Sequence, residues 1–355
     1  MQQIQLNFNI PWAKGENYWL CVVLQEENQA QHLIKEFKNT DLRGVVTGSH
    51  TIAFAAPKYW AHTWQRVNMA LANHLLVNAK VAILPRKMGV PSEEEIILSS
   101  ESTDKIDAIA ENFWLADALY NHKLECYYQP VVDRTGRAYG YESFARLMLD
   151  DGALITGNKI IEGARKMNIE HVVDKYLHML SMQTFAEAGL SGNLFINFIT
   201  GFIQLPQKYL EKLTDAAKQN NINPKRIVLD VPTSWIQDDM AQLASIVDYC
   251  HSIGCSVALD DVDNSHLLAN ILQVTSPDYV KLDRKFSKYH QQPSVMKELE
   301  KIIKLSHSKG AMIIAEAVED QEAFQLMQKL DVDLFQGYHF AAPQSIDKII
   351  KAKTA

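Results

Sequence analysis

From residue 125 onward the chain repeats one alternation: a short apolar run, then a longer stretch with apolar residues at helical spacing, then another run. The runs are Glu125–Val132, Tyr141–Arg146, Leu194–Phe198, Ile227–Val231, Val257–Asp261, Tyr279–Leu282, Met312–Ala315 and Leu334–Phe340. Strands covered on both faces read as unbroken apolar runs, and the segments between parallel strands must be long enough to hold a crossover helix. Eight such strands over about 230 residues predict an α/β fold of the (β/α)8 TIM type. The first two runs are joined only by "DRTGRAYG", too short for a crossover, so this pair must be antiparallel. An open doubly wound sheet would need a glycine-rich turn after its first strand to look like a nucleotide fold, and none is present.

Ahead of the barrel, the stretch Arg86 to Lys105, "RKMGVPSEEEIILSSESTDK", is polar and rich in breakers and reads as a domain boundary. Residues 106–121 carry apolar residues at helical spacing and predict a single linker helix. Residues 1–105 then form a small unit of their own, with strand Tyr18–Leu24, helix Gln29–Phe37, hairpin Gly44–Ala55, helix Trp60–Leu75 and strand Lys80–Leu84. That order predicts a ferredoxin-like α/β sandwich. The barrel domain takes residues 122–355. With net charge −7, binding to nucleic acid through phosphate contacts is disfavoured. The four scattered cysteines form neither a zinc spacing nor a disulfide framework, and no window approaches 18 consecutive apolar residues. The expectation is a cytoplasmic protein without a membrane or nucleic-acid partner.

The chemistry gathers at the strand ends. Reading the C-terminal end of each run gives Glu142, Asn197, Asp230, Asp260 with Asp261, Lys281 with Asp283, Glu316 with Glu319, and Gln336. In a barrel these open onto one face, where active sites of this fold sit. Carboxylates with one amide and one lysine make a hard-oxygen site, which selects Mg2+ or Mn2+ and can hold a metal pair for phosphoryl chemistry. Each residue alone has a plainer explanation. Asp263, with Ser265 nearby, reads as a helix cap, and Lys281 as a surface lysine with its stem laid on the protein. Seven of eight strands ending in such a group is what a plainer reading does not explain.

Taken together, "YQPVV", "YESFAR", "FINF", "VLDVPTS", "VALDDV", "DYVKLD", "IIAEAVED" and "FQGYHFAAP" resemble, in order over about residues 122–345, the EAL domain of cyclic di-GMP phosphodiesterases. The resemblance implies metal ligation by Glu142, Asn197, Asp230, Asp260, Asp261 and Glu316, with two ions, Mg2+ or Mn2+. It implies that Lys281 contacts the attacking water, that Glu319 and Gln336 support it, and that Gln129 and Arg146 bind the ligand. The amino-terminal unit is similar in element order to a shortened, degenerate GGDEF domain, but its hairpin tip, Gly48-Ser49-His50-Thr51, lacks a metal-holding acidic pair.

The chain departs from the family pattern in several places. Glu-Ala-Leu is Glu142-Ser143-Phe144, Asp230 stands for glutamate, and the glutamate that tethers the loop after the fifth strand is Thr233. That loop, Asp260-Asp261-Val262-Asp263-Asn264-Ser265, has lost both glycines, a glycine before Val318 is Ala317, and an arginine near the last proline is Ala342. Two readings follow: slow metal-dependent hydrolysis of cyclic di-GMP to linear pGpG, or a non-catalytic receptor that binds cyclic di-GMP or a protein partner and signals through residues 1–105. Homodimerisation through the barrel is a further expectation from the resemblance.

Overall fold

The computed structural model describes residues 17–57, 59–76, 78–86, 89–198, 206–235, 240–289 and 292–354. The first sheet is built from β1 (Tyr18–Val23), β2 (Gly44–Val46), β3 (Thr51–Ala56), β4 (Lys80–Pro85) and β5 (Glu101–Ser102), in the order β2-β3-β1-β4-β5. Every pairing in it is antiparallel. With α1 (Glu27–Glu36) and α2 (Trp60–Asn73) between the strands, this is the ferredoxin-like order expected. The stretch read as a breaker-rich boundary is partly structured. Ser92 caps α3 (Glu93–Leu98) in a reciprocal box with Glu95, three acidic residues fill the first turn, and β5 adds a fifth strand.

The expected single helix over 106–121 is two helices, α4 (Thr103–Glu111) and α5 (Phe113–Tyr120), meeting at Asn112. Asn112 turns its amide onto the Ala108 carbonyl, a local bond that competes with continued helix. The buried residues of α4 and α5 share one core with the first sheet, and that core runs on into the barrel's outer layer through Leu147, Ile160, Val173 and Tyr176. The two units are therefore packed as neighbours over a common apolar seam.

The second sheet holds β6 (Leu124–Asp133), β7 (Ala138–Met148), β8 (Leu154–Thr156), β9 (Asn193–Asn197), β10 (Ile227–Pro232), β11 (Ser256–Val262), β12 (Tyr279–Leu282), β13 (Met312–Ala315), β14 (Leu334–Phe335) and β15 (Gln344–Ser345). Between them run α6 (Gly157–Lys166), α7 (Glu170–Glu187), α8 (Pro206–Gln219), α9 (Met240–Ser252), α10 (Ser265–Val274), α11 (Lys285–Lys288), α12 (Pro293–Ser308), α13 (Gln321–Lys329) and, after β15, α14 (Ile346–Thr354). Pairing of β6 with both β7 and β14 closes an eight-stranded barrel, with β8 and β15 as extensions. As the short connection required, β6 is antiparallel to both neighbours, and the ladder from β7 through β9 to β14 is parallel. The turn between β6 and β7 is fixed by Asp133, whose carboxylate accepts from the Thr135 and Arg137 amides, while Gly136 supplies the positive φ. The last barrel strand is shorter than read from sequence, ending at Phe335 rather than Phe340.

Alternation of side chains along the strands sets what the barrel holds. Val131, Phe195, Val228, Ala258, Tyr279, Ile314 and Leu334 form one buried cluster inside it. Two residues further along the parallel strands, on the same face, come Asn197, Asp230, Asp260, Lys281, Glu316 and Gln336. An apolar plug thus lies beneath a polar layer. In β7 the plug position is Gly140, where a side chain would collide with the Asn193 carbonyl and the Phe195 ring; Glu142 follows it. Among the described residues, no helix is long and apolar enough to cross a membrane.

Candidate functional site

The polar layer converges on Lys281. Its ammonium is fully buried and lies 2.9 Å from Glu142 Oε2, 3.0 Å from Asp230 Oδ2, 3.3 Å from Asp260 Oδ1 and 2.8 Å from Glu316 Oε1. The surface reading of this lysine is overturned, because its strand position aims it into the barrel. Burial alone would push the ammonium down, but the carboxylates of Asp230, Asp260, Glu142 and Glu316 hold it well above the ordinary lysine range. Asp230 and Glu316 are also shifted upward. Desolvation raises both well above the usual carboxylate range, and neighbouring carboxylates add to it against the pull of Lys281. One cation therefore faces four carboxylates, and the cluster is short of positive charge.

Further donors tie the layer together. The Gln336 amide donates to Glu142 Oε2 at 3.0 Å and to Gln129 Oε1 at 3.2 Å, and Gln129 in turn donates to the Ala341 carbonyl. Asn197 donates to Glu142 Oε1 at 3.2 Å. Asp260, Asp261 and Glu316 bring carboxylate oxygens within 4.8 Å of one another. Asp261 reaches this position with φ 55°, a left-handed conformation that Asp adopts more readily than most residues. Desolvation first, and then Asp260 beside it, raises the Asp261 carboxyl.

Two oxygens show what the cluster lacks. Asp230 Oδ1 is buried with no hydrogen bond, and Asp260 Oδ1 has the Lys281 ion pair but no hydrogen bond. Buried polar atoms are rarely left so, since each costs about 1–3 kcal/mol. All of the donors are hard oxygens, the set that suits Mg2+ or Mn2+. The residues present fit divalent cations.

Of the remaining sequence-derived positions, Arg146 lies half-buried with its guanidinium over the Tyr127 and Phe144 rings, and desolvation lowers its pKa. Glu319 does not join the cluster. Its side chain is 56% exposed and pairs with Lys288 at 3.6 Å, because the backbone turns at Ala317 (φ 50°) and sends Glu316 and Glu319 in different directions. The helix cap expected of Asp263 is Asn264, which accepts from the His266 and Leu267 amides, while Asp263 pairs with Lys285. Thr233, expected as a lost tether, donates its hydroxyl to the Asp261 carbonyl at 3.1 Å and so anchors the loop after β11.

Beside the cluster, on the outer side of β7 and β9, is a cavity of about 400 Å3 walled by Ser143, Phe144, Asp174, His178, Asn197 and other residues of β7, α6, α7 and β9. Sequence reasoning missed Asp174 and His178. The available signal was a polar pair at i, i+4 on a helix face that is otherwise buried.

The closed barrel with a reversed first strand and an acidic C-terminal mouth defines the class of this domain. Residues 113–343 match the family model described as EAL domain, and the chain belongs to that family. It is 26% identical over 245 residues, 67% of the chain and 48% of the relative, to the "Probable cyclic di-GMP phosphodiesterase PdeG" of Escherichia coli (strain K12). It is 24% identical over 221 residues to the "Uncharacterized EAL-domain containing protein YkuI" of Bacillus subtilis (strain 168), covering 61% of the chain and 54% of the relative. The chain thus spans about half the length of these curated relatives. Among solved structures, the EAL enzyme Bd1971 with bound cAMP and cyclic di-GMP superposes with a TM-score of 0.64 at 16% identity, covering 95% of each chain.

Proposed function

We propose that this EAL domain binds cyclic di-GMP and hydrolyses it to linear pGpG with Mg2+ or Mn2+. The observation that carries the reading is the under-compensated carboxylate cluster around Lys281, with the orphaned Asp230 oxygen at its centre. Glu142, Asn197, Asp230, Asp260, Asp261 and Glu316 would hold two cations. Such a pair, when bound, lowers the pKa of a shared water and neutralises the phosphodiester. Within this division of labour, Lys281 keeps its proton at Nζ and donates toward the attacking oxygen. Gln336 fixes Glu142, and Arg146, lying over two rings, offers its guanidinium to a phosphate. Water adds to phosphorus as the P–O3′ bond breaks, and the departing oxygen takes a proton to leave the linear dinucleotide. Gln129 belongs to ligand binding, and Glu319 is assigned no catalytic part. Residues 1–105 act as the regulatory module, the protein works in the cytoplasm, and homodimer or protein contacts would act through these same units.

A receptor reading has its own observation. Lys281 already neutralises part of the cluster by itself, and Ala342 leaves the ligand one cation short of the family pattern. Purified protein with Mn2+ separates the two readings. The enzyme releases pGpG, and Glu142→Ala abolishes release. Calorimetric binding of cyclic di-GMP with no product at high protein concentration overturns hydrolysis and leaves the receptor.

A further inference from the structure

Asn197 ends β9 with its amide on Glu142. The Asn197 carbonyl is met from outside the barrel. His178, rising from α7, places Nε2 2.8 Å from Asn197 O and 3.4 Å from Asp174 Oδ1. Both oxygens are acceptors, so Nε2 is the nitrogen that carries hydrogen. Asp174 lies one helical turn earlier on the same face, and the imidazole stacks on Phe198 with planes 14° apart. Both side chains are buried. A buried imidazole and carboxylate are costly on a cavity wall that an aliphatic side chain would cover more cheaply, and the bond to the Asn197 carbonyl offsets part of that cost.

We infer that His178 is a positioning residue for Asn197, gripping the last carbonyl of β9 so that the carboxamide points at Glu142 and could reach a cation held beside it. Asp174 steadies the imidazole in the tautomer this requires. The inference rests on the proposed ligand role of Asn197. Groups that orient ligating residues in this way typically change metal affinity by 10–100-fold when removed.

The test pairs His178→Met, which fills the space without a donor, with His178→Gln, which restores an N–H. Amide exchange of residues 193–198 in metal-free protein reads the grip directly, and calorimetry with Mn2+ reads its consequence. The expected result is faster exchange and about tenfold weaker Mn2+ binding in His178→Met, with His178→Gln within about threefold of wild type. Wild-type behaviour in His178→Met, or equal loss in both variants, overturns the inference. If the wild type binds no Mn2+, the functional reading falls while the exchange comparison still decides the positioning role. Should His178→Met not fold, Asp174→Asn decides. Faster exchange at 193–198 supports the grip that Asp174 steadies, and wild-type protection overturns it.

Discussion

Two stretches of the barrel are built to one plan. "HSIGCSVALDD" from His251 crosses the end of α9 into β11, and "HSKGAMIIAEA" from His307 crosses the end of α12 into β13. In each, the histidine donates to an aspartate before the next strand, Asp278 or Asp333, at 2.9 Å. The same aspartate oxygen also accepts the amide of Val257 or Ile313. Each helix ends on a glycine of positive φ, Gly254 or Gly310, and each strand delivers a carboxylate, Asp260 or Glu316, followed by a left-handed residue, Asp261 or Ala317. The next strands supply Lys281 and Gln336, which both donate to Glu142 Oε2. With the scaffold held constant, the chemistry differs only in side chains: the first half brings two carboxylates and a cation, the second one carboxylate and an amide. Backbone plan and site chemistry are therefore separable, and substitutions in matched pairs show how far.

The largest contrast is expected between Lys281→Met and Gln336→Leu. Removing the lysine leaves buried carboxylates facing one another, which costs about 3–5 kcal/mol, whereas removing the amide costs about 1–3 kcal/mol. Urea unfolding of metal-free protein measures both, and equal losses would break the distinction between the halves. Next come Asp278→Ala and Asp333→Ala, each removing the acceptor of one histidine and one strand amide. Losses of about 1–2 kcal/mol, matched within about 0.5, are expected because the two clamps are the same. Unequal losses would show that the plan is not repeated energetically.

Ala317→Gly should raise stability by up to about 1 kcal/mol by relieving a left-handed alanine, read as a higher Tm. A fall would mean that the Ala317 methyl is needed where it stands. Smallest is Glu298→Gln, on α12 where its carboxylate meets Ser265 at the start of α10. The Ser265 amide and hydroxyl hold the Glu298 carboxyl down at about 2, against an ordinary 4.5. A lowered folded pKa stabilises above the unfolded value and is lost on acidification, so the wild-type advantage, under about 1 kcal/mol, is full at pH 7. It shrinks between about 4.5 and 2 and vanishes below. A difference that persists below that range would show that uncharged contacts, not the carboxylate, tie α10 to α12.

Much of this was legible in the sequence because barrel strands, covered on both faces, must be apolar runs, and their final inward positions must be what the mouth uses. Glu142, Asp230, Asp260, Lys281, Glu316 and Gln336 were found by that rule and do converge. Glu319 was placed with them because it is three residues from Glu316, and one turn at Ala317 separates them. Asn264 rather than Asp263 caps α10, since either side chain suits a cap and backbone geometry makes the choice. His178 and Asp174 showed only as a polar pair one turn apart on α7, and such a pair has meaning only through what packs opposite.

By itself, the sequence determined the eight barrel strands, the reversed first strand and the hard-oxygen character of the mouth, since periodicity, loop length and side-chain chemistry are local properties. Only the closed barrel decided that Lys281 stands among four carboxylates, one of them 139 residues away, and that His178 reaches the Asn197 carbonyl. Those contacts depend on sheet closure and helix packing, which bring distant residues within hydrogen-bond reach and which no short window of sequence encodes.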